Sequence, residues 1–191
     1  MMLKIAVVIG STRPGTKAPA VADWIVEQTK GRADAEFTKL DIADFDLPLL
    51  DEPVPPARGK YIKEHTKRWA YAVAQYDGFI FVTPEYNHAP APALVNAIDY
   101  LFVEWQDKAA AFVSYGAQVG GARAVEPLRT MLAALNVATI SNHVTLSLST
   151  EFEGFVRPNP PEAKVTELQG LFAQLTKWAR ALKTVRSGAV A

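Results

Sequence analysis

Residues 3 to 10 are apolar at nearly every position, with Lys4 the one charge, and show no helical period, which predicts a strand buried on both faces. Over residues 18 to 30 the spacing changes. Val21, Ala22, Ile25, Val26 and Thr29 fall on one side of a 3.6-residue repeat, which predicts a helix. A short strand is predicted at 36–42. Residues 43 to 59 carry four of the thirteen prolines and no period, as expected of a long surface connection within one domain. Beyond them come a helix at 60–76, a buried apolar strand ending at Pro84, a helix at 93–105 and a strand at 108–116. The chain then continues with a helix at 121–135, a strand at 137–148 and an amphipathic helix at 161–183.

Five strands alternating with five helices, the interior strands apolar on both faces, predict an α/β fold: a doubly wound five-stranded parallel sheet in three layers. A single domain over residues 1–191 is expected. Ligands of such sheets sit beyond the carboxyl ends of the strands, at the switch in strand order. Loops of unusual composition follow the first, third and fourth strands, as Gly-Ser-Thr-Arg-Pro-Gly (10–15), Thr-Pro-Glu-Tyr-Asn (83–87) and Ser-Tyr-Gly-Ala-Gln-Val-Gly-Gly (114–121).

Composition narrows the classes. Twenty basic and twenty acidic residues leave no net field for nucleic acid or an anionic membrane. The chain has no Cys, which excludes disulfides, thiol redox chemistry and Cys-ligated metal, and agrees with a reducing compartment. The apolar run at 5–9 is too short to span a bilayer and lacks a small-residue cleavage site, so a cytoplasmic location is expected.

The first loop has the ingredients of a phosphate site. Gly10 and Gly15 have the spacing of a Walker A loop, but Thr16 and Lys17 stand in the reverse of the required order. A dinucleotide loop needs Gly where Thr12 stands. What remains is a hydroxyl-rich loop with one Arg opening a helix, suited to a single terminal phosphate. The same letters also suit a plain strand-to-helix turn, with Pro14 and Gly15 as turn formers and Ser11 or Thr12 as a cap.

Three motifs in register resemble those of the NAD(P)H-dependent FMN reductases of the flavodoxin-like fold: Gly10-Ser11-Thr12-Arg13, Pro84-Glu85-Tyr86-Asn87 and the Gly-rich turn from Gly116 to Gly121. Asn96 to Asp99 and the pair Leu47-Pro48 extend the likeness over essentially the whole chain. The chain departs from the usual pattern at Thr16, Lys17 and Ala18 and again at Ala89, Ala91, Pro92 and Val95. The resemblance implies that Ser11, Arg13 and Thr16 contact the FMN phosphate. It further implies that Pro84, Glu85, Tyr86 and Asn87 line the isoalloxazine ring, and that Ser114, Tyr115, Gly116, Gly120 and Gly121 lie at its other edge. NADPH or NADH would be the donor, and a quinone, free flavin, azo compound or metal oxyanion the acceptor, in ping-pong exchange. No catalytic side chain and no metal is implied. Hydride passes directly to the flavin, so Glu85 is expected to be scaffolding rather than a general acid, and His88 an ordinary loop residue. Tyr86 and Tyr115 are expected to stack at the rim.

Leu94, Val95, Ile98, Leu101, Phe102 and Trp105 make the helix predicted at 93–105 apolar around most of its circumference. One face can pack on the sheet and the remainder is either more core or a subunit interface; with the resemblance, this favours a homodimer or homotetramer in which a second subunit approaches the flavin. A flavodoxin-type electron carrier or a flavin-binding regulatory module is the competing class. Carriers of that type are usually strongly acidic and lack Arg in the loop, so zero net charge and Arg13 count against it.

Overall fold

A computed structural model describes residues 2–188. Five strands, β1 (Leu3–Ile9), β2 (Ala35–Asp41), β3 (Gly78–Pro84), β4 (Ala109–Gly116) and β5 (Ala138–Ser147), form a parallel sheet in the order β2-β1-β3-β4-β5. This is the flavodoxin-like order expected above. Every residue of β3 and β4 is buried, which is why those segments are continuous apolar runs.

Alternate side chains of each strand enter two separate cores. Ile5, Val7 and Ile9 pack with α1 (Ala18–Glu27) and α5 (Glu162–Arg186), while Ala6 and Val8 face α2 (Glu64–Ala74), α3 (Pro92–Asp99) and α4 (Ala122–Ala134). A two-stranded antiparallel ribbon, β6 (Phe152–Glu153) with β7 (Arg157–Pro158), lies outside the main sheet and has no counterpart in the sequence reading. Its Phe152 is buried against the ring of Tyr115. Residues 43–59 are a connection, as expected, punctuated by 3-10 turns at Ile42–Phe45 and Pro56–Arg58.

The largest correction concerns the apolar helix predicted at 93–105. It ends at Asp99, because two buried indoles take its terminal carbonyls: Trp69 Nε1 donates to Ala97 O at 2.8 Å and Trp105 Nε1 to Ile98 O at 3.1 Å. The chain then folds back so that Leu101 and Trp105 join the second core beside Leu94 and Ile98. Much of that greasy circumference is therefore interior.

At the amino ends of the strands, polar groups gather around Asp77. Its carboxylate accepts the Lys4 N–H at 3.1 Å, Lys183 Nζ at 2.7 Å and Arg186 Nη2 at 2.7 Å, tying β1, the entry to β3 and the end of α5 together. Nearby, the buried Lys108 donates its Nζ to Val73 O at 3.0 Å and lies over the Phe79 ring. Burial, reinforced by the Arg186 charge, pushes its ammonium down to about 8 from 10.5. Between these two values the unfolded chain holds a proton that the folded chain has released, so stability rises with pH across that window. Lys108→Met removes this rise. Urea unfolding at pH 8 and pH 10.5 should show the parent gaining on the variant by on the order of 2 to 3 kcal/mol, at about 1.4 kcal/mol per unit, and equal pH dependence would refute it.

Candidate functional site

The carboxyl ends of β1, β3 and β4 open side by side at the point where strand order reverses between β1 and β3. Gly10 leaves β1 by donating its N–H to Val82 O at 3.0 Å. A Cβ on Gly10 would lie 2.7 Å from that oxygen and 2.9 Å from Leu94, so only glycine permits the approach. The loop then turns at Gly15, where φ is +73°, into α1, whose N-cap Lys17 makes no side-chain cap. Neither Ser11 nor Thr12 caps that helix; Thr16 Oγ1 accepts the Ala18 N–H at 3.4 Å. Among the described residues, the N–H groups of Thr12, Arg13 and Gly15 donate to no protein acceptor. Unpaired donors in a loop that leads into a helix favour an anion.

The loop after β3 folds over this one. Tyr86 and Ala89 exchange both backbone hydrogen bonds, at 2.9 and 3.0 Å, around Asn87 and His88, whose φ values are +52° and +67°. Two successive non-glycine residues in the left-handed region are strained, and such strain concentrates at functional sites. The turn holds the Tyr86 hydroxyl 3.0 Å from Ser11 Oγ, where Arg13 Nε donates to it at 3.1 Å. Hydroxyls and one guanidinium from two loops thus converge on one spot.

At the end of β4 the side chains turn inward. Tyr115 is 4 % exposed, its hydroxyl 2.8 Å from Thr16 Oγ1, and burial pushes that phenol up to about 12, so it stays protonated at neutral pH. The buried Ser114 donates to Gly120 O at 2.8 Å. These two were expected at a flavin edge, Tyr115 as a stacking ring. Both side chains lie beneath the loops: the Tyr115 hydroxyl meets Thr16 of the first loop and Ser114 fastens the glycine turn. Gly120 and Gly121 have φ of +59° and +84°, and Gly121 packs against the Tyr115 backbone.

The Glu85 side chain is fixed by a partner from α4. It is 7 % exposed and paired with the 37 % exposed Arg123, whose Nε donates to Oε1 at 2.6 Å and whose Nη2 bridges to the same oxygen. The Arg123 backbone N–H donates to Oε2 at 3.2 Å. Both carboxylate oxygens thus accept from Arg123. Sequence reasoning did not single out Arg123. Its signal was a cation in the first turn of a helix that has no acid there, an unfavourable placement unless a carboxylate arrives from elsewhere.

Asn96 also acts across distance. Its side chain donates to Pro48 O at 2.6 Å and accepts the Leu50 N–H at 2.9 Å, so the Leu47-Pro48 and Asn96 signals meet in space. A cavity of about 470 Å³, lined by Thr12, Ile42, Leu47, Pro48, Ala93 and Asn96, opens beside the first loop. Among the described residues no cluster of three metal-ligating side chains occurs, and no helix is long and apolar enough to cross a membrane.

The family model for NADPH-dependent FMN reductases matches residues 3–151. The chain is similar to an NAD(P)H-dependent FMN reductase of Nectria sp, with 46% identity over 129 residues, 64% of this chain and 64% of that protein. It is also similar to an NAD(P)H:quinone oxidoreductase of Solanum tuberosum, with 30% identity over 132 residues, 67% of this chain and 66% of that protein. In each case the match spans slightly less than two thirds of the relative's length. Among solved structures, the flavoenzyme NAD(P)H:(acceptor) oxidoreductase of Paracoccus denitrificans has the same fold, with a TM-score of 0.73 at 22% identity, covering 94% of this chain and 98% of that chain. The ribbon of β6 and β7 begins where the family match ends.

The glycines of the site should differ in replaceability. A Cβ on Gly15 meets nothing within 4 Å, whereas one on Gly121 falls 2.8 Å from the Tyr115 N and O atoms. Gly15→Ala should cost about 1 to 2 kcal/mol, the left-handed penalty alone, and Gly121→Ala distinctly more. Denaturant midpoints of the two variants test this, and equal losses would refute the close-packing account.

Proposed function

The chain belongs to the NADPH-dependent FMN reductase family, and from that premise we propose that it binds FMN and oxidises NADPH or NADH, passing the reducing equivalents to a small acceptor. Bound FMN would supply the hydride chemistry, accepting from the nicotinamide and donating to a quinone, free flavin, azo compound or metal oxyanion once the nicotinamide has left. The observation that carries this reading is the first loop. Unpaired N–H groups of Thr12, Arg13 and Gly15, the hydroxyls of Ser11 and Thr16, and the Arg13 guanidinium stand together at the carboxyl end of β1.

These groups fit a terminal phosphate. Arg13 would provide charge-assisted donors, and Tyr86 would hold Arg13 in reach. Beyond the phosphate, Gly116, Gly120 and Gly121 would shape the edge of the ring through main chain, since a Cβ on each would meet neighbouring protein atoms within 3.0 Å. Pro84 to Asn87 would line the ring mainly through backbone and shape, since the Glu85 carboxylate is already committed to Arg123. Proton delivery to the acceptor would then come from solvent. The cavity beside Thr12 is large enough for a planar acceptor or part of the nicotinamide dinucleotide.

A homodimer or homotetramer in the cytoplasm completes the proposal. With Leu94, Ile98, Leu101 and Trp105 in the core, the face that supports association is a different one. Leu49, 85 % exposed, lines a shallow apolar cavity of about 400 Å³ with Ala89, Pro90, Pro92 and Val95, next to the strained turn.

Arg13→Ala should weaken FMN binding by about 1.5 to 3 kcal/mol, the range for hydrogen bonds to charged groups, and leave riboflavin affinity nearly unchanged. Fluorescence titration of both ligands decides it, since equal losses would assign Arg13 to the fold. The parent should also sustain NADPH or NADH oxidation with a soluble quinone, and absence of steady turnover would favour a carrier. Light scattering after gel filtration should find an oligomer in the parent and a smaller species in Leu49→Asp; a monomeric parent overturns the association.

A further inference from the structure

Glu85 and Arg123 join two loops that are otherwise separate in sequence. Glu85 follows β3, and its N–H donates to Tyr115 O at 3.2 Å, while a Cβ on Gly116 would lie 3.5 Å from Glu85 Cβ. The carboxylate is therefore seated between the carboxyl ends of β3 and β4. From there it takes the Arg123 guanidinium and also the Arg123 backbone N–H, in the first turn of α4 directly after Gly120 and Gly121. One anion thus neutralises one cation and caps a helix that has no cap of its own, since the N-cap Gly121 has no side chain and the first turn no acid.

We propose that Glu85 and Arg123 are a charge-neutral clamp of positioning residues, which locks the loop after β3 to the glycine turn after β4 and sets the electrostatic environment of the flavin edge between them. The proposal rests on the FMN reading. Addition of a hydride adds one negative charge to the ring, so any unbalanced charge beside it changes the relative affinities for oxidised and reduced FMN. The intact pair contributes almost no net charge. Loss of Glu85 leaves a cation that favours the reduced form. Loss of Arg123 leaves a mostly buried anion that disfavours it.

The test compares Glu85→Gln, Arg123→Gln and the double variant. In the protein without flavin, amide hydrogen exchange at Gly121 to Arg123 should speed up in Glu85→Gln, where the capping charge is lost. With FMN bound, the midpoint potential should rise in Glu85→Gln, fall in Arg123→Gln and return close to the parent value in the double variant. Each single shift should correspond to at least about a fivefold change in the ratio of affinities for the two redox forms, the lower end of coupling between sites. A merely structural pair would move both potentials in one direction or neither, and that result overturns the proposal. Arg123 is partly exposed, so Arg123→Gln can carry the potential measurement by itself if Glu85→Gln does not fold. A parent that takes up no FMN refutes the FMN reading. The exchange measurement then decides whether the clamp exists, with unchanged exchange at Gly121 to Arg123 overturning it.

Discussion

A parallel sheet covered on both faces confines the polar side chains of its central strands to their carboxyl ends, where Thr83 and Ser114 stand. All of β3 and β4 is buried, and the backbone of each strand is satisfied only by its neighbours. Chemistry is thereby displaced to the two ends of the strands. At the amino ends the displaced groups serve stability: Asp77 gathers Lys4, Lys183 and Arg186, and Lys108 is buried with a lowered proton affinity. At the carboxyl ends the three loops converge because β1, β3 and β4 are adjacent in the sheet although distant in the chain.

Within that convergence, side chains and backbone divide the work. Ser114, Tyr115 and Glu85 are mostly buried and spend their polar atoms on other loops, through Gly120, Thr16 and Arg123. The groups left facing outward are N–H donors, the Arg13 guanidinium and Thr12 at the first loop. The mostly buried Glu85 carboxylate is paired with Arg123, whereas the exposed Arg13 guanidinium is bonded, among the described residues, only to the Tyr86 hydroxyl and stays available to an anion. The strained turn at Asn87 and His88 fits the same scheme, since it places Tyr86 over Arg13 by closing the chain on Ala89.

The alternation of strands and helices, the parallel class and the three loops could be read from sequence because each depends on neighbouring residues: an apolar run, a 3.6-residue repeat, a Gly-rich turn. The order of the strands followed from those signals only in combination with the family likeness. What the sequence could not supply was the identity of long-range partners. Periodicity reports that a side chain is apolar, not what covers it. The stretch from Ala93 to Trp105 therefore looked like one helix with apolar surface left for more core or a second subunit, whereas Trp69 and Trp105 end it at Asp99 and fold its second half inward. The pairing of Glu85 with Arg123 is of the same kind, a contact between residues 38 apart. Tyr115 appeared to be a rim aromatic until tertiary packing sank its ring against Phe152 on a ribbon too short to leave a sequence signal. Local free-energy preferences are written in adjacent residues, while burial and ion pairing depend on which distant surface arrives, and only the folded chain decides that.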